Sequence, residues 1–109
     1  MMKVMKFGGT SVGKPERMHE VAKLITRNAD SKIVVLSALS GTTNSLVEIS
    51  NFLAHGNREG AKNTIEKLHQ HYKAFIQALV QKEENRKNAN QIIDEHFEFL
   101  NIILRISFS

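Results

Sequence analysis

Between residues 3 and 36 two short apolar runs flank an amphipathic stretch, and that order constrains the fold more than anything else in the chain. The first run, Val4-Met5, lies in a strand predicted over residues 3–7 and ended by Gly8-Gly9. Pro15 then suits the first position of a helix, where its missing N–H costs nothing. Behind it Met18, Val21, Ala22, Leu24 and Ile25 fall on one stripe, leaving Glu16, Arg17, Glu20, Lys23 and Arg27 mostly facing water. Asn28-Ala29-Asp30-Ser31 is a turn cluster that ends the helix. Ile33-Val34-Val35-Leu36 is the second strand, and four apolar residues without alternation point to a strand covered on both faces, as in a parallel sheet. Strand, helix and strand at this spacing form a βαβ unit, right-handed in nearly all cases. Both strands then end at one edge, where open α/β sheets bind their ligands.

Two loops of similar chemistry reach that edge. Lys6-Phe7-Gly8-Gly9-Thr10-Ser11-Val12-Gly13 places a lysine, two glycines and two hydroxyls between strand and helix. Glycines let backbone N–H groups approach an anion, and a helix N-terminus adds unpaired N–H groups and a positive dipole end. Ser37-Ala38-Leu39-Ser40-Gly41-Thr42-Thr43-Asn44 is also small, hydroxyl-rich and glycine-containing. The helix after it carries Leu46, Val47, Ile49, Ser50 and Leu53 inward, with Thr42, Thr43 or Ser45 as its N-cap; Ser45 with Glu48 matches a capping box. Gly56 suits a left-handed helix end, and Asn57 suits the cap of the next helix.

From residue 57 the composition changes. Ala61, Ile65, Leu68, Tyr72, Phe75 and Leu79 recur at helical steps, and Lys82 to Asn90 reads as a polar connection. Ile92, Ile93, Phe97, Leu100, Ile103 and Leu104 mark a further helix, so the two segments predict an antiparallel hairpin. Met5, Met18, Tyr72, Phe75, Phe97 and Phe99 are expected in the core. Phe99, Leu100, Ile102, Ile103, Leu104, Ile106 and Phe108 form a strongly apolar end, closed by Ser109. A helix apolar around most of its surface needs partners on several sides, and two strands are few for an open sheet. Both features lead to the expectation of an N-terminal piece of something longer, one that self-associates as a homo-oligomer.

Composition removes several classes of function. With 41% hydrophobic and 24% charged residues the chain is an ordinary globular one. It has no cysteine, hence no disulfide, thiolate nucleophile or cysteine-ligated metal. The net charge of +4 comes from bases interleaved with acids, as in Lys82, Glu83, Glu84, Arg86, Lys87. That is the pattern of solvated helix faces, so no nucleic-acid partner is expected. No apolar run is long enough for a membrane span and no signal peptide precedes the first strand, which leads to a cytoplasmic expectation. His69 and His71 stand two apart on a helix and point to different sides, while His19, His55 and His96 lack ligand spacing, so no metal ligands are assigned.

A glycine pair in a βα turn is weak evidence by itself. The loop is neither a Walker A sequence, because the lysine precedes the glycines, nor the Gly-x-Gly-x-x-Gly dinucleotide fingerprint. Lys6-Phe7-Gly8-Gly9-Thr10-Ser11-Val12, followed by Val34-Val35-Leu36-Ser37-Ala38-Leu39-Ser40-Gly41-Thr42-Thr43-Asn44, closely resembles the start of an aspartokinase, of the amino acid kinase superfamily. The resemblance is sharp over residues 3–49; residues 57–109 fit the helical insertion of such proteins in general character. It implies a three-layer αβα fold of which this chain supplies the N-terminal part, a βαβα phosphate-binding unit over 1–56 and a helical hairpin over 57–109.

It also implies transfer of the ATP γ-phosphoryl group to the side-chain carboxylate of L-aspartate, with Mg²⁺ held mainly through the ATP phosphates. Lys6 matches the catalytic, phosphate-binding lysine. Gly8, Gly9, Thr10 and Ser11 match the loop around the phosphates, Ser37 a serine near phosphates and aspartate, and Thr43 the threonine of the aspartate site. The family's Ser-x-Gly-Glu-type segment, adenine-binding region and regulatory domains are absent. The 109-residue chain alone is therefore expected to be inactive.

Overall fold

In the computed structural model, which describes residues 2–108, the elements run β1 (Lys3–Phe7), α1 (Pro15–Ile25), β2 (Lys32–Leu36), α2 (Thr42–Ala54), α3 (Arg58–Leu79) and α4 (Glu83–Ser107). The predicted βαβα order and the two long helices after it are thus present, while Ser109 lies outside the described residues. The chain divides into two compact units, Met1–Ser40 and Gly41–Ser109.

In the first unit β1 and β2 pair in parallel, with Lys3 opposite Lys32 and Phe7 opposite Leu36. Helix α1 has Pro15 in its first turn, Glu16 beside it and Lys23 in its last turn, so both ends suit the helix dipole. Val21 is its buried residue, Met18 and Ile25 are half-buried, and Val12 in the preceding loop is fully enclosed. The expectation of a strand β2 covered on both faces is not met: Ile33, Val35 and Leu36 are 50%, 46% and 50% exposed. Two strands and one crossover helix have more apolar strand surface than the described residues of this unit cover.

The second unit is helical. Gly41 enters α2 at φ 87°, and the Ser45 N–H already donates to the Gly41 carbonyl at 3.0 Å. The cap is therefore Gly41 itself, and none of the expected hydroxyls, nor the Ser45/Glu48 box, is used. At the other end of α2, Gly56 takes φ 71° and Asn57 Oδ1 accepts from the Gly60 N–H at 2.8 Å, as the sequence predicts.

Helices α3 and α4 run antiparallel, since Gln77 meets Arg86 and His69 meets Asp94 across them. Their connection is shorter than the sequence implies, because α4 begins at Glu83 and most of the supposed linker is helical. Glu83 and Glu84 favour that helix start, and Arg86 donates to the Val80 and Gln77 carbonyls left open at the end of α3. These local bonds override the weak helix preference of the asparagines.

The core joins Ile49 of α2 to Ala61, Ile65 and Leu68 of α3 and to Phe97 and Leu104 of α4. Phe99, expected inside, is 65% exposed, and Ile92 and Ile103 also stand out at 56% and 49%. Helix α4 buries the stripe Ile93-Phe97-Leu100-Leu104, and Phe99 lies on a different face, spaced with Ile92, Ile103 and Ile106. Among the described residues no helix is long and apolar enough to cross a membrane.

Gly60 sets the approach of α2 to α3. A Cβ there would lie 2.6 Å from the Phe52 ring, and 2.9 Å from its Cγ, too near the root of the side chain for the ring to swing clear. Alanine gains up to about 1 kcal/mol of helix propensity over glycine, against roughly 1–3 kcal/mol for overpacking. Gly60→Ala is expected to destabilise the chain by about 1 kcal/mol in urea unfolding, with an unchanged m-value.

Candidate functional site

Parallel pairing carries the first predicted loop and the Ser37–Ser40 start of the second to one sheet edge. Lys6 stands opposite Val35, Phe7 opposite Leu36, and the Ser37 N–H donates to the Phe7 carbonyl at 3.1 Å as the last rung. Ser37 therefore sits beside the start of the glycine loop, and Gly13 closes on the same strand's exit, where its Cα hydrogen faces Ser40 Cβ. Lys6, Gly8, Gly9, Thr10 and Ser37 are exposed and Ser11 is half-buried. Thr43 belongs to the second unit, exposed in the first turn of α2.

The loop consists of two linked turns. The Ser11 N–H donates to the Gly8 carbonyl at 3.0 Å and the Gly13 N–H to the Thr10 carbonyl at 3.4 Å. Among the described residues the N–H groups of Gly8, Gly9 and Thr10 have no acceptor, and the Lys6 ammonium has no hydrogen-bond or ion-pair partner. Three consecutive open amides and a free cation at a strand end form an anion-accepting set. Among the described residues no three His, Asp or Glu side chains gather as metal ligands.

The glycines sort into two kinds. Gly41 and Gly56 have positive φ, a Cβ on Gly13 would lie 3.2 Å from the Gly9 carbonyl oxygen, and Gly60 meets Phe52. Gly8 and Gly9 have neither constraint: φ is not positive and a Cβ on either would meet nothing within 4 Å. The fold leaves their identity unexplained. Open space above unpaired amides is what close approach by an external group requires.

Three contacts escape sequence reasoning. Arg17, assigned to solvent by its place on α1, reaches back seven residues and donates from Nη1 to the Thr10 carbonyl at 3.0 Å. It lines an open cleft of about 510 Å³ with Phe7, Thr10, Ser11 and Glu20. In the second unit the buried Thr42 hydroxyl pairs with the Tyr72 hydroxyl at 2.7 Å, tying the first turn of α2 to α3. His69 bonds Asp94 at 2.7 Å and stacks on Phe97 at 4.4 Å between centroids, an α3–α4 contact for which spacing gives no signal.

Comparison with known proteins adds the following. The family model described as Amino acid kinase family matches residues 1–97. An aspartate kinase of Pseudomonas putida is 48% identical over 50 residues, 43% of this chain and 12% of that protein. The chloroplastic aspartokinase 3 of Arabidopsis thaliana is 60% identical over 45 residues, 40% of this chain and 8% of that protein. An aspartokinase 3 of Haemophilus influenzae whose name includes the word inactive is 41% identical over 58 residues, 53% of this chain and 48% of that one. The match thus spans less than half the length of each of these relatives.

Because the fold does not require Gly8 or Gly9, alanine at either position is expected to leave stability unchanged or raise it by about 0.4–1 kcal/mol through the unfolded chain's entropy. Thermal unfolding of Gly8→Ala and Gly9→Ala beside wild type checks this. A loss above about 1 kcal/mol would mean that the glycines serve the fold after all.

Proposed function

The chain belongs to the amino acid kinase family, and on that premise we propose that it forms the phosphate-binding end of an aspartate kinase. The observation that carries this reading is the pair Gly8-Gly9, whose open amides and absent Cβ atoms serve no purpose within the fold. The names of the relatives, matched over 50 and 45 residues, support aspartate as the phosphoryl acceptor. A glutamate or carbamate kinase is the competing member of the family. Turnover of the longer parent protein against a panel of acceptor acids decides between them.

In the proposed reaction an oxygen of the aspartate side-chain carboxylate attacks the γ-phosphorus of ATP. A new P–O bond forms, the bond to the β-phosphate oxygen breaks, and 4-phospho-L-aspartate and ADP result. Phosphoryl transfer needs little covalent help from a protein, so positioning and charge stabilisation supply the acceleration. Mg²⁺ bound through the phosphate oxygens supplies charge neutralisation. Lys6 offsets negative charge on the transferring group, and the Gly8, Gly9 and Thr10 amides hold the phosphates with the Thr10 and Ser11 hydroxyls. Ser37, at the same sheet edge, lies where phosphate and acceptor meet. Thr43 takes the aspartate-binding role on its sequence match. The resulting acyl phosphate belongs to the entry of lysine, threonine and methionine synthesis in a cytoplasmic setting.

Lys6→Ala in the longer parent is expected to lower turnover by several orders of magnitude, measured as ADP release at saturating substrates. Turnover within a factor of about ten of wild type (about 1.4 kcal/mol in barrier) would sink the assignment.

A second reading applies to the 109-residue chain by itself: an inactive, self-associating module. The exposed apolar residues of β2 and of the outer face of α4 favour it, since a surface of this kind is removed from water by association. Light scattering on the isolated chain, run beside a kinase assay, is expected to give an oligomer without turnover. A monomer with measurable aspartate phosphorylation would overturn this reading.

A further inference from the structure

We propose that Arg17 is a positioning residue of the glycine loop: its guanidinium fixes the Thr10–Ser11 peptide and with it the turn that carries the open amides of Gly8, Gly9 and Thr10. The inference rests on the phosphate-binding reading of that loop. In a trans peptide the C=O and the following N–H point in opposite directions, so the holder of the Thr10 carbonyl also sets where the Ser11 N–H points. The carbonyl has two donors, Arg17 Nη1 at 3.0 Å and the Gly13 N–H at 3.4 Å. The second lies beyond the usual 2.7–3.2 Å range for N–H···O bonds, so the charged donor is the main restraint. On the other side of the peptide the Ser11 N–H donates to the Gly8 carbonyl at 3.0 Å. Reversing the peptide would break all three bonds and set the Thr10 carbonyl against the Gly8 carbonyl.

The placement of Arg17 follows from its element. Pro15 fixes where α1 begins, so a residue in the first turn lies within a side chain's reach of the loop just before it. A guanidinium reaches the carbonyl with one of its five N–H groups and keeps its charge beside the cleft formed by Phe7, Thr10 and Ser11. The acidic residue of the cleft lining, Glu20, is paired with Lys23 at 3.1 Å. Arg17 is thus not diverted to an ion pair.

The test compares wild type with Arg17→Ala and Arg17→Lys in the 109-residue chain. In the absence of nucleotide, ¹⁵N order parameters at Ser11 and Gly13 are expected to fall in Arg17→Ala from the rigid range of about 0.85 toward the flexible range below about 0.6. They should recover in part in Arg17→Lys, which keeps a donor, and the melting temperature should stay put because the residue is exposed. The dissociation constant for MgATP is expected to rise roughly three- to tenfold in Arg17→Ala, the effect of one hydrogen bond from a charged group. Unchanged order parameters would overturn the positioning role, including the case in which affinity still drops and Arg17 is only a direct phosphate ligand. Loosened turns with unchanged MgATP affinity would overturn it too. If wild type binds neither MgATP nor inorganic triphosphate, which needs no adenine site, the phosphate reading itself fails, and the inference with it.

Discussion

Parallel pairing of β1 with β2 is the constraint on which the first unit depends. A parallel pair cannot be closed by a tight turn, so the chain must cross over, and α1 is that crossover. The crossover returns the chain to the same end of the sheet, so whatever follows each strand emerges at one edge. The last rung, from the Ser37 N–H to the Phe7 carbonyl, fixes the two exits within one peptide of each other. A slip of one residue would turn every side chain of β2 to the opposite face and carry Ser37 away from the glycine loop. Register is thus the means by which a serine and a lysine some thirty residues apart in sequence come to share an edge.

The two units are built by different means. The first buries few side chains, chiefly Val12 and Val21, and is held mainly by the ladder. The second owes its order to helix packing around Ile65, Leu68 and Phe97, with specific polar links at its joints. Thr42 with Tyr72 secures the start of α2, Asn57 caps α3, and His69 with Asp94 crosses the hairpin. A part-buried hydroxyl pair such as Thr42–Tyr72 contributes about 0.5–1.5 kcal/mol net but is costly to half-remove. Those joints tie α2 to α3 and α3 to α4.

Much of this was legible in the residues. Strand β1 ends where Gly8 was read to break it, Pro15 opens α1, and Gly56 and Asn57 do what their types imply. What escaped has physical reasons. The cap of α2 fell to Gly41, because a positive φ at the loop exit satisfies the entry geometry before any hydroxyl is reached. The asparagine-rich segment after Lys82 became helix because Arg86 and the two glutamates act over a few residues and outweigh propensity. Phe99 was assigned inward since composition alone cannot tell a second apolar stripe from a first. Arg17 was read as solvent-facing because periodicity reports the direction of a Cβ, and a long side chain can fold back from there.

The glycines sharpen what counts as evidence for a site. Sequence alone offers two explanations for Gly8-Gly9, a tight turn or room for a ligand. The structure removes the first, since no positive φ and no neighbouring atom demands glycine at either position. Gly13, five residues after Gly8, is the internal control: it shares the loop yet is hemmed in by Gly9 and Ser40, so its identity belongs to folding. Residues that folding requires and residues that it merely tolerates thus lie side by side in one turn. A position where local preference and fold disagree is where function is expected to have set the residue. Here that position coincides with three open amides and an unpaired lysine. Open amides and a glycine pair that folding does not demand thus coincide at the end of β1.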